Sequence, residues 1–401
     1  MMAAGAAPLL LGCAGLAVDF ASAWSARSNL QAAADGAAIA AATELPLRST
    51  SAATVQSIAE RYVRENAGRN VTLTSIASNV LDNRAGVRVT VAGHTGSIMG
   101  SLFNADGYSP QVEAVARLAG GVPLCALTLE ERQGRGIYLE RRGRIRAPNC
   151  AVVSNSTSPR GIVARDNTEL EASMICSAGG YEGSRGNFSP LPVTDCPAVP
   201  DPLANREEPD AGGCTHLVTL SVTGTRNLRP GVYCGGLTIL PGATARLAPG
   251  VYVMKNGPLL VMNGGALEGD GVGFYFVGDL STMRLSARSR INLSAPRSGP
   301  MAGFLFFANR VLLTANLNLR RFRIESNDAR TLLGTIYLRD GVLEVASNRP
   351  IADRSAYTVV VARRIEVSAG PDLVLNTDYD GTDVPVPDGV GPRPPQAYLS
   401  E

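Results

Sequence analysis

Lysine, histidine and aromatic residues are scarce in this chain of 401 residues, which contains one lysine, Lys255, two histidines and 5% aromatics. None of its seven cysteines belongs to a C-x-x-C pair, so the ligand spacing of a structural zinc site is missing. The net charge is only +2, and we interpret the longest basic stretch, residues 141–146, as the solvated face of a strand. Zinc and nucleic acid are therefore not expected partners.

Motifs of the common catalytic sites are also missing. The chain has no G-x-S-x-G elbow, no P-loop and no dinucleotide-binding fingerprint. Asn376-Thr377-Asp378 is similar to one polygalacturonase signature, but neither a histidine nor a lysine follows it. Inverting glycoside hydrolysis requires two carboxyl groups roughly 6.5–9.5 Å apart, and no acidic pair recurs along the repeats described below. We predict that the protein is not an enzyme and binds no cofactor.

Acidic residues cluster between Asp378 and Asp383, with Asp388 beyond. Their oxygens are suitable calcium ligands, but the glycine position differs from that of an EF-hand loop and the late glutamate is missing. We interpret this stretch as an acidic surface loop and expect no metal site. The prolines of residues 384–395 predict a loop or a polyproline-like tail.

Charge is missing altogether from Met1 to Val18. A membrane core of ~30 Å needs roughly 20 apolar residues, so the stretch from Met1 to Trp24 is long enough to span it. Residues 21–45 are rich in alanine and continue the helical pattern as far as Pro46. The sequence predicts one long helix, apolar in its first half and amphipathic in its second.

The sequence of residues 8–45, PLLLGCAGLAVDFASAWSARSNLQAAADGAAIAAATEL, resembles the N-terminal segment of the TadE/TadG-like Flp pilus-assembly family. That family has an apolar helix, then G-L-A-V-D-[FY], then L-Q-x-A-A-D-A-A-A-L-A-A-A, and residues 15–20 and 30–38 keep both motifs at family spacing. Gly36 replaces the usual alanine, and no basic stretch precedes the apolar run. The resemblance implies a role in membrane anchoring or pilin packing for Pro8, Leu11, Gly15, Leu16, Val18, Asp19 and Phe20.

This segment has three alternative interpretations. Leu10 to Cys13 is similar to a lipoprotein signal, although the residues after the cysteine stay apolar. Ala21-Ser22-Ala23 is a suitable small-residue site for cleavage of a signal peptide. A buried helix of a soluble domain is disfavoured by the uncharged run of eighteen residues.

Six cysteines remain when Cys13 is set aside, and an even number in an exported region predicts disulfides. Six cysteines allow 15 connectivities. We expect the pairs Cys125 with Cys150, Cys176 with Cys196, and Cys214 with Cys234.

Residues 46–119 predict a small α+β head. A helix is expected over residues 48–68, capped within residues 49–51 and ended by Gly68. Strands over residues 71–76 and 86–92 form a hairpin around the turn 82–84, and a short helix over residues 97–103 precedes a strand over residues 111–116. This order resembles a pilin-like subunit.

After Gly120, short apolar runs alternate with Gly, Asn, Ser and Pro for more than 250 residues. Residues 235–254, 257–277 and 281–308 each read strand, turn, strand, turn, strand, and residues 322–338 and 357–375 follow more loosely. Ile239, Val261 and Leu285 recur at coil length, as do Tyr252 and Tyr275. This period predicts a parallel β-helix of about ten coils, each a winding of three strands, over roughly 50 Å. A sandwich or barrel is the alternative fold.

Period-two alternation then divides the positions of a coil between inside and outside. We expect aliphatic side chains to point inward and the intervening polar ones outward, as Ile239 and Thr238 do. The other expected inward positions are Leu237, Ala243, Ala245, Leu247, Leu267, Ile291 and Leu293, and the other outward ones are Thr244 and Arg246.

These observations predict a mainly β protein: a transmembrane and amphipathic helix (1–45), a pilin-like head (46–119), a β-helix domain (120–383) and a Pro-rich tail (384–401). The resemblance implies a structural or assembly component of a Flp/Tad-type pilus. Its expected partners are other pilus components or pilins and the inner membrane, with host or surface ligands as further candidates. The C-terminal region is expected in the periplasm or outside the cell. A secreted carbohydrate-active β-helix enzyme and a glycan-binding adhesin are the alternatives.

Overall fold

The computed structural model describes residues 6–45, 51–81, 86–97, 107–119, 122–131, 134–310, 319–391 and 396–399. The chain forms two compact units. Unit 1 contains Met1–Gly121 with Pro394–Glu401, and unit 2 contains Val122–Arg393.

Unit 1 contains two helices and an antiparallel sheet. The helices are α1 (Ala6–Thr43) and α2 (Ala52–Asn66), and the strands are β1 (Thr72–Val80), β2 (Gly86–His94), β3 (Gln111–Ala119) and, at the C-terminus, β27 (Gln396–Leu399). The sheet order is β1-β2-β3-β27, so the segment expected to be a Pro-rich tail ends in a strand. The predicted hairpin is confirmed by the antiparallel pairing of β1 with β2. Its turn at 82–84, and residues 98–103 of the expected short helix, lie outside the described residues.

Helix α2 is shorter than the predicted range 48–68, but its cap and the glycine after it are those expected. Ser51 is the N-cap, and its hydroxyl accepts a hydrogen bond from the Thr54 amide at 3.2 Å. Gly68, just after the helix, has a φ of +85°, a conformation that glycine adopts at little cost.

The core of unit 1 is built from small side chains. Residues of α1 from Leu30 onward bury a run of alanines against α2 and the valines of β2. Gly36, which departs from the family pattern, contacts α2: an added Cβ would lie 2.4 Å from Cε1 of Tyr62. The ring of Tyr62 therefore occupies the space that the usual alanine methyl would take.

Unit 2 is a stack of parallel strands. They are β4 (Leu124–Thr128), β5 (Ile137–Leu139), β6 (Arg144–Ser154), β7 (Ile162–Ala164), β8 (Glu169–Ser177), β9 (Tyr181–Glu182), β10 (Phe188–Ser189), β11 (Leu220–Val222), β12 (Thr225–Leu228), β13 (Gly231–Cys234), β14 (Leu237–Ile239), β15 (Thr244–Leu247), β16 (Gly250–Lys255), β17 (Leu259–Val261), β18 (Ala266–Gly269), β19 (Val272–Val277), β20 (Met283–Leu285), β21 (Arg290–Ser294), β22 (Phe304–Ala308), β23 (Arg320–Ile324), β24 (Asp328–Val345), β25 (Thr358–Val367) and β26 (Asp372–Val374). From β11 to β20, each strand pairs in parallel with the strand three further along the chain. This pairing is that of a β-helix; the number of coils stays a prediction.

The predicted register is confirmed in this region. Ile239 pairs with Val261, and Val261 pairs with Leu285. All eight aliphatic positions expected inside are buried, whereas Thr238 is partly exposed and Arg246 is exposed. One marker pair is wrong: Tyr252 pairs with Phe274, and Tyr275 pairs with Val253. Because faces alternate along a strand, this offset of one residue points Tyr252 and Tyr275 to opposite faces.

The coils are not stacked in chain order. The last coil pairs with the first, since β25 pairs in parallel with β4, with Val360 beside Ala126. From there β4 pairs with β6, and β6 with β8. Because β25 and β26 also pair with β5 and β6, and β8 pairs with β10, the stack runs from β11 to β26 and continues from β4 to β10. The first strand of unit 2, β4, therefore lies inside the stack. From β4 to β10 the chain forms the coils out to one end, and from β11 to β26 it forms the coils from the other end back to β4.

Candidate interaction surfaces

The segment between Cys196 and Cys214 connects the two ends of this stack. We call residues 197–213 the crossing segment; four of them are prolines, which favour extended chain over a strand paired within a sheet. The crossing segment has to pass the nine strands β13, β16, β19, β22, β24, β25, β4, β6 and β8. Nine strands are separated by eight intervals of ~4.8 Å, so this distance is about 38 Å, well within the reach of 17 residues.

Contacts of the crossing segment follow the strand order of the stack. The Val199 amide donates to Oδ1 of Asn155 at 2.9 Å, and Asp201 accepts from the Tyr337 hydroxyl at 2.7 Å. Further along, Glu208 accepts from the Tyr275 hydroxyl at 2.7 Å. The Gly212 carbonyl accepts from Nζ of Lys255 at 2.9 Å, close to the other end. The crossing segment therefore lies along one outer face of unit 2.

That face carries an apolar row, which we define as the outward residues in register on eight of these strands, from β13 to β6. The row consists of Val232, Val253, Tyr275, Phe307, Tyr337, Val361, Leu127 and Val153. All eight side chains are buried although they point away from the coil interior. Leu203 of the crossing segment is buried with them, and Val199 and Ala211 pack against the same core. The crossing segment thus covers an apolar surface that would otherwise face solvent.

Charged groups fix the crossing segment to this face. Arg310 ion-pairs with Glu208 at 3.0 Å and also donates to the carbonyls of Ala204 and Arg206. Burial raises the pKa of Tyr275 and of Tyr337, and their hydrogen bonds to Glu208 and Asp201 raise it further. Both phenols therefore stay protonated and donate to the carboxylates at neutral pH.

The six cysteines form the three expected pairs. Cys125–Cys150 has a Cα–Cα distance of 5.6 Å and joins neighbouring coils near the start of unit 2. Cys176–Cys196 and Cys214–Cys234 lie at opposite ends of the stack, each at one end of the crossing segment. End coils have only one neighbour to pack against, so covalent closure stabilises them where stacking cannot.

The acidic and polygalacturonase-like residues form ordinary surface contacts. Oδ1 of Asp378 accepts from the Gly381 amide at 3.1 Å, and the Asn376 side chain donates to the Ser355 carbonyl at 2.8 Å. Asp353 lines a surface groove together with Asn376 and Asp378, and it is ion-paired with Arg330. Within the described part of the chain, no group of three acidic, histidine or cysteine side chains is placed to hold a metal ion.

The anchor residues predicted from the sequence all lie on α1. Pro8, Leu11, Gly15 and Leu16 belong to its first turns. Val18, Phe20 and Trp24 are 56%, 72% and 68% exposed. Oδ2 of Asp19 accepts a hydrogen bond from the Ser97 hydroxyl at 2.5 Å. Large apolar side chains are thus exposed on the helix just before the residues that it buries.

Residues 1–44 match the family model described as putative Flp pilus-assembly TadE/G-like, and this match supports a pilus-associated role. No curated protein and no solved structure matches the chain. The described helices include none that combines the length and the apolarity needed to cross a membrane.

Sequence reasoning missed the crossing segment as a surface. Its four prolines within thirteen residues, placed between two cysteines, were the available signal. In the sequence, the apolar row is visible only as consecutive hydrophobic residues within single strands, such as Tyr275 in β19 and Phe307 in β22.

Proposed function

We propose that this protein is a non-enzymatic component of a Flp/Tad-type pilus machine, anchored through α1. The first half of α1 is a single-pass segment in the inner membrane, or packs among pilins, through Pro8, Leu11, Gly15, Leu16, Val18, Asp19 and Phe20. The small residues Ala14, Gly15 and Ala17 in the same stretch allow close helix approach. The division of the chain into an anchor helix (1–45), a head (46–119), a β-helix domain (120–383) and a tail (384–401) belongs to this proposal.

The observation that carries the proposal is the change of environment along α1. From Leu30 the helix is packed into unit 1, whereas Phe20 and Trp24, one turn apart, are exposed. Water-exposed side chains of this size are unfavourable unless a membrane or another helix covers them. The uncharged run from Met1 to Val18 extends the same apolar character.

The disulfides support export of unit 2. Three of them persist only in an oxidising compartment such as the periplasm or the cell exterior. In this proposal, α1 holds the protein at the inner membrane or in the pilus. Unit 2 is exported and is available for protein contacts or adhesion.

The test is the location of the full chain in a bacterium that makes Flp pili. We expect it in membranes or sheared pili after carbonate extraction, and we expect Phe20→Ser with Trp24→Ser to move a large share into the soluble fraction. Leu217→Ser is the matched control, because Leu217 is 81% exposed on unit 2 and its loss should change nothing. A soluble wild-type protein trimmed after Ala23 would instead identify residues 1–23 as a signal peptide.

A further inference from the structure

Two copies of the sequence Arg-Gly-Ile occupy the same place in successive coils. They are Arg135-Gly136-Ile137 and Arg160-Gly161-Ile162, and Ile137 pairs with Ile162 in register. On the other side Ile365 pairs with Ile137, so Arg363 takes the position of Arg135 and Arg364 takes that of Gly136. Adjacent strands lie ~4.8 Å apart, so arginines recur along this face at that spacing.

These arginines surround an open groove of about 430 Å³. Its lining includes the four arginines Arg135, Arg160, Arg165 and Arg364, and a single carboxylate, that of Glu182. Three strands position these side chains: Arg135 and Arg160 precede β5 and β7, and Glu182 is in β9.

The carboxylates nearby do not balance this charge. Glu182 accepts from Arg165 at 2.9 Å and lies 3.7 Å from Arg160. Glu130, only 1% exposed, is shared between Arg364 at 2.8 Å and Arg363 at 3.2 Å. Among the described residues, two carboxylates are therefore ion-paired with four of these five arginines, and Glu140, the next carboxylate nearby, is ion-paired with Arg141.

Arg135 makes no ion pair with any residue in the described ranges. Its guanidinium lies over the ring of Tyr138, with Cζ 4.3 Å from the ring centroid. The Tyr138 hydroxyl donates to Glu140 at 2.8 Å, which holds the ring in place. Stacking uses the face of the guanidinium and leaves its N–H groups free to donate in the ring plane, so Arg135 is oriented without being neutralised.

We propose that this groove binds the carboxylate groups of an acidic polysaccharide. Guanidinium groups bind carboxylates through paired N–H donors, and arginines repeated along the stack suit a ligand with repeated charge. Nucleic acid fits less well, because single strands need exposed aromatic faces for stacking and Arg135 already covers Tyr138. Disulfides place unit 2 in a compartment where surface polysaccharides occur. The site requires export but not a pilus.

The assay measures binding of the purified full chain in detergent to fluorescent oligogalacturonate, a polymer of one uronic acid. We expect saturable binding that weakens with salt, and none to neutral dextran of the same size. Arg135→Gln with Arg160→Gln should lower the affinity at least tenfold. Arg226→Gln with Arg288→Gln removes the same charge from exposed positions elsewhere on unit 2 and should leave the affinity unchanged.

Three results would overturn the proposal: no binding of oligogalacturonate, equal loss of affinity in both double variants, or equally tight binding of an oligonucleotide of matched charge. The thermal unfolding temperature of both double variants is also measured. If it equals that of the wild type, a loss of affinity reflects the groove and not the fold. The binding assay uses purified protein, so a negative result would not contradict the proposed role of α1. Conversely, a negative result in the fractionation test would not affect the binding assay.

Discussion

In unit 2, the burial of a single residue depends on which face of its strand the side chain points to. Ile239 is fully buried between Val261 and Val222 of neighbouring coils, whereas the adjacent Thr238 is partly exposed. We expect Ile239→Ala to lower the free energy of unfolding by ~2–5 kcal/mol, because it removes buried methyl groups and leaves a cavity. Thr238→Ala should cost under ~0.5 kcal/mol. Urea melts of the full chain measure both, and equal losses would contradict the register.

A second prediction at this scale concerns pH. Burial, and then the hydrogen bond to Asp201, raise the pKa of Tyr337. Unfolded tyrosine ionises near its ordinary pKa of about 10, so above that pH the folded state binds more protons than the unfolded state. The stabilisation is complete below pH 10 and is lost as the pH rises further. In Tyr337→Phe the unfolding free energy should fall less steeply between pH 9 and 11 than in the wild type; parallel curves would show that Tyr337 does not contribute.

Among the elements, the crossing segment depends most on its disulfides. Replacing Cys214 and Cys234 by Ser opens a loop of about 20 residues, which should cost ~3 kcal/mol. It should also free one end of the crossing segment, so that trypsin cleaves after Arg206 faster and the uncovered apolar row binds a hydrophobic dye. The control replaces Cys125 and Cys150, which join neighbouring coils and do not hold the crossing segment. Equal acceleration of cleavage in both variants would show that the crossing segment is held by other contacts.

Elements that depend on neighbours in the chain were predictable, and those that depend on distant partners were not. The cap at Ser51, the hairpin of β1 and β2, and the Ile239 register follow from local residue types and period-two alternation. The position of β4 beside β25 joins residues more than 200 apart and leaves no local pattern. Tyr275 was matched with Tyr252 on their spacing along the chain, whereas the register between the coils pairs Tyr275 with Val253. The arginine groove did have a local signal, the repeated Arg-Gly-Ile.

For unit 2 as a whole, the rearranged stacking order explains the crossing segment and the two disulfides at its ends. A stack built in chain order has its first and last coils at its two ends. Here both ends of the stack are formed by internal parts of the chain, around Cys176 and Cys234, and the first and last coils meet inside it. Each end coil lacks a neighbour on one side, and the crossing segment ties both ends to the same face.

Engineered disulfides distinguish the two stacking orders directly. Tyr138 of β5 pairs in register with Glu366 of β25, so Tyr138→Cys with Glu366→Cys should crosslink on mild oxidation, because parallel neighbours lie within disulfide range. Stacking in chain order would instead bring β9 beside β11, so Glu182→Cys with Ser221→Cys is the matched control. In this structure β11 pairs with β14 at one end and β9 pairs with β7 at the other, so the control pair should stay reduced. Peptide mapping by mass spectrometry reads both pairs, and a crosslink between residues 182 and 221, without one between 138 and 366, would establish chain-order stacking.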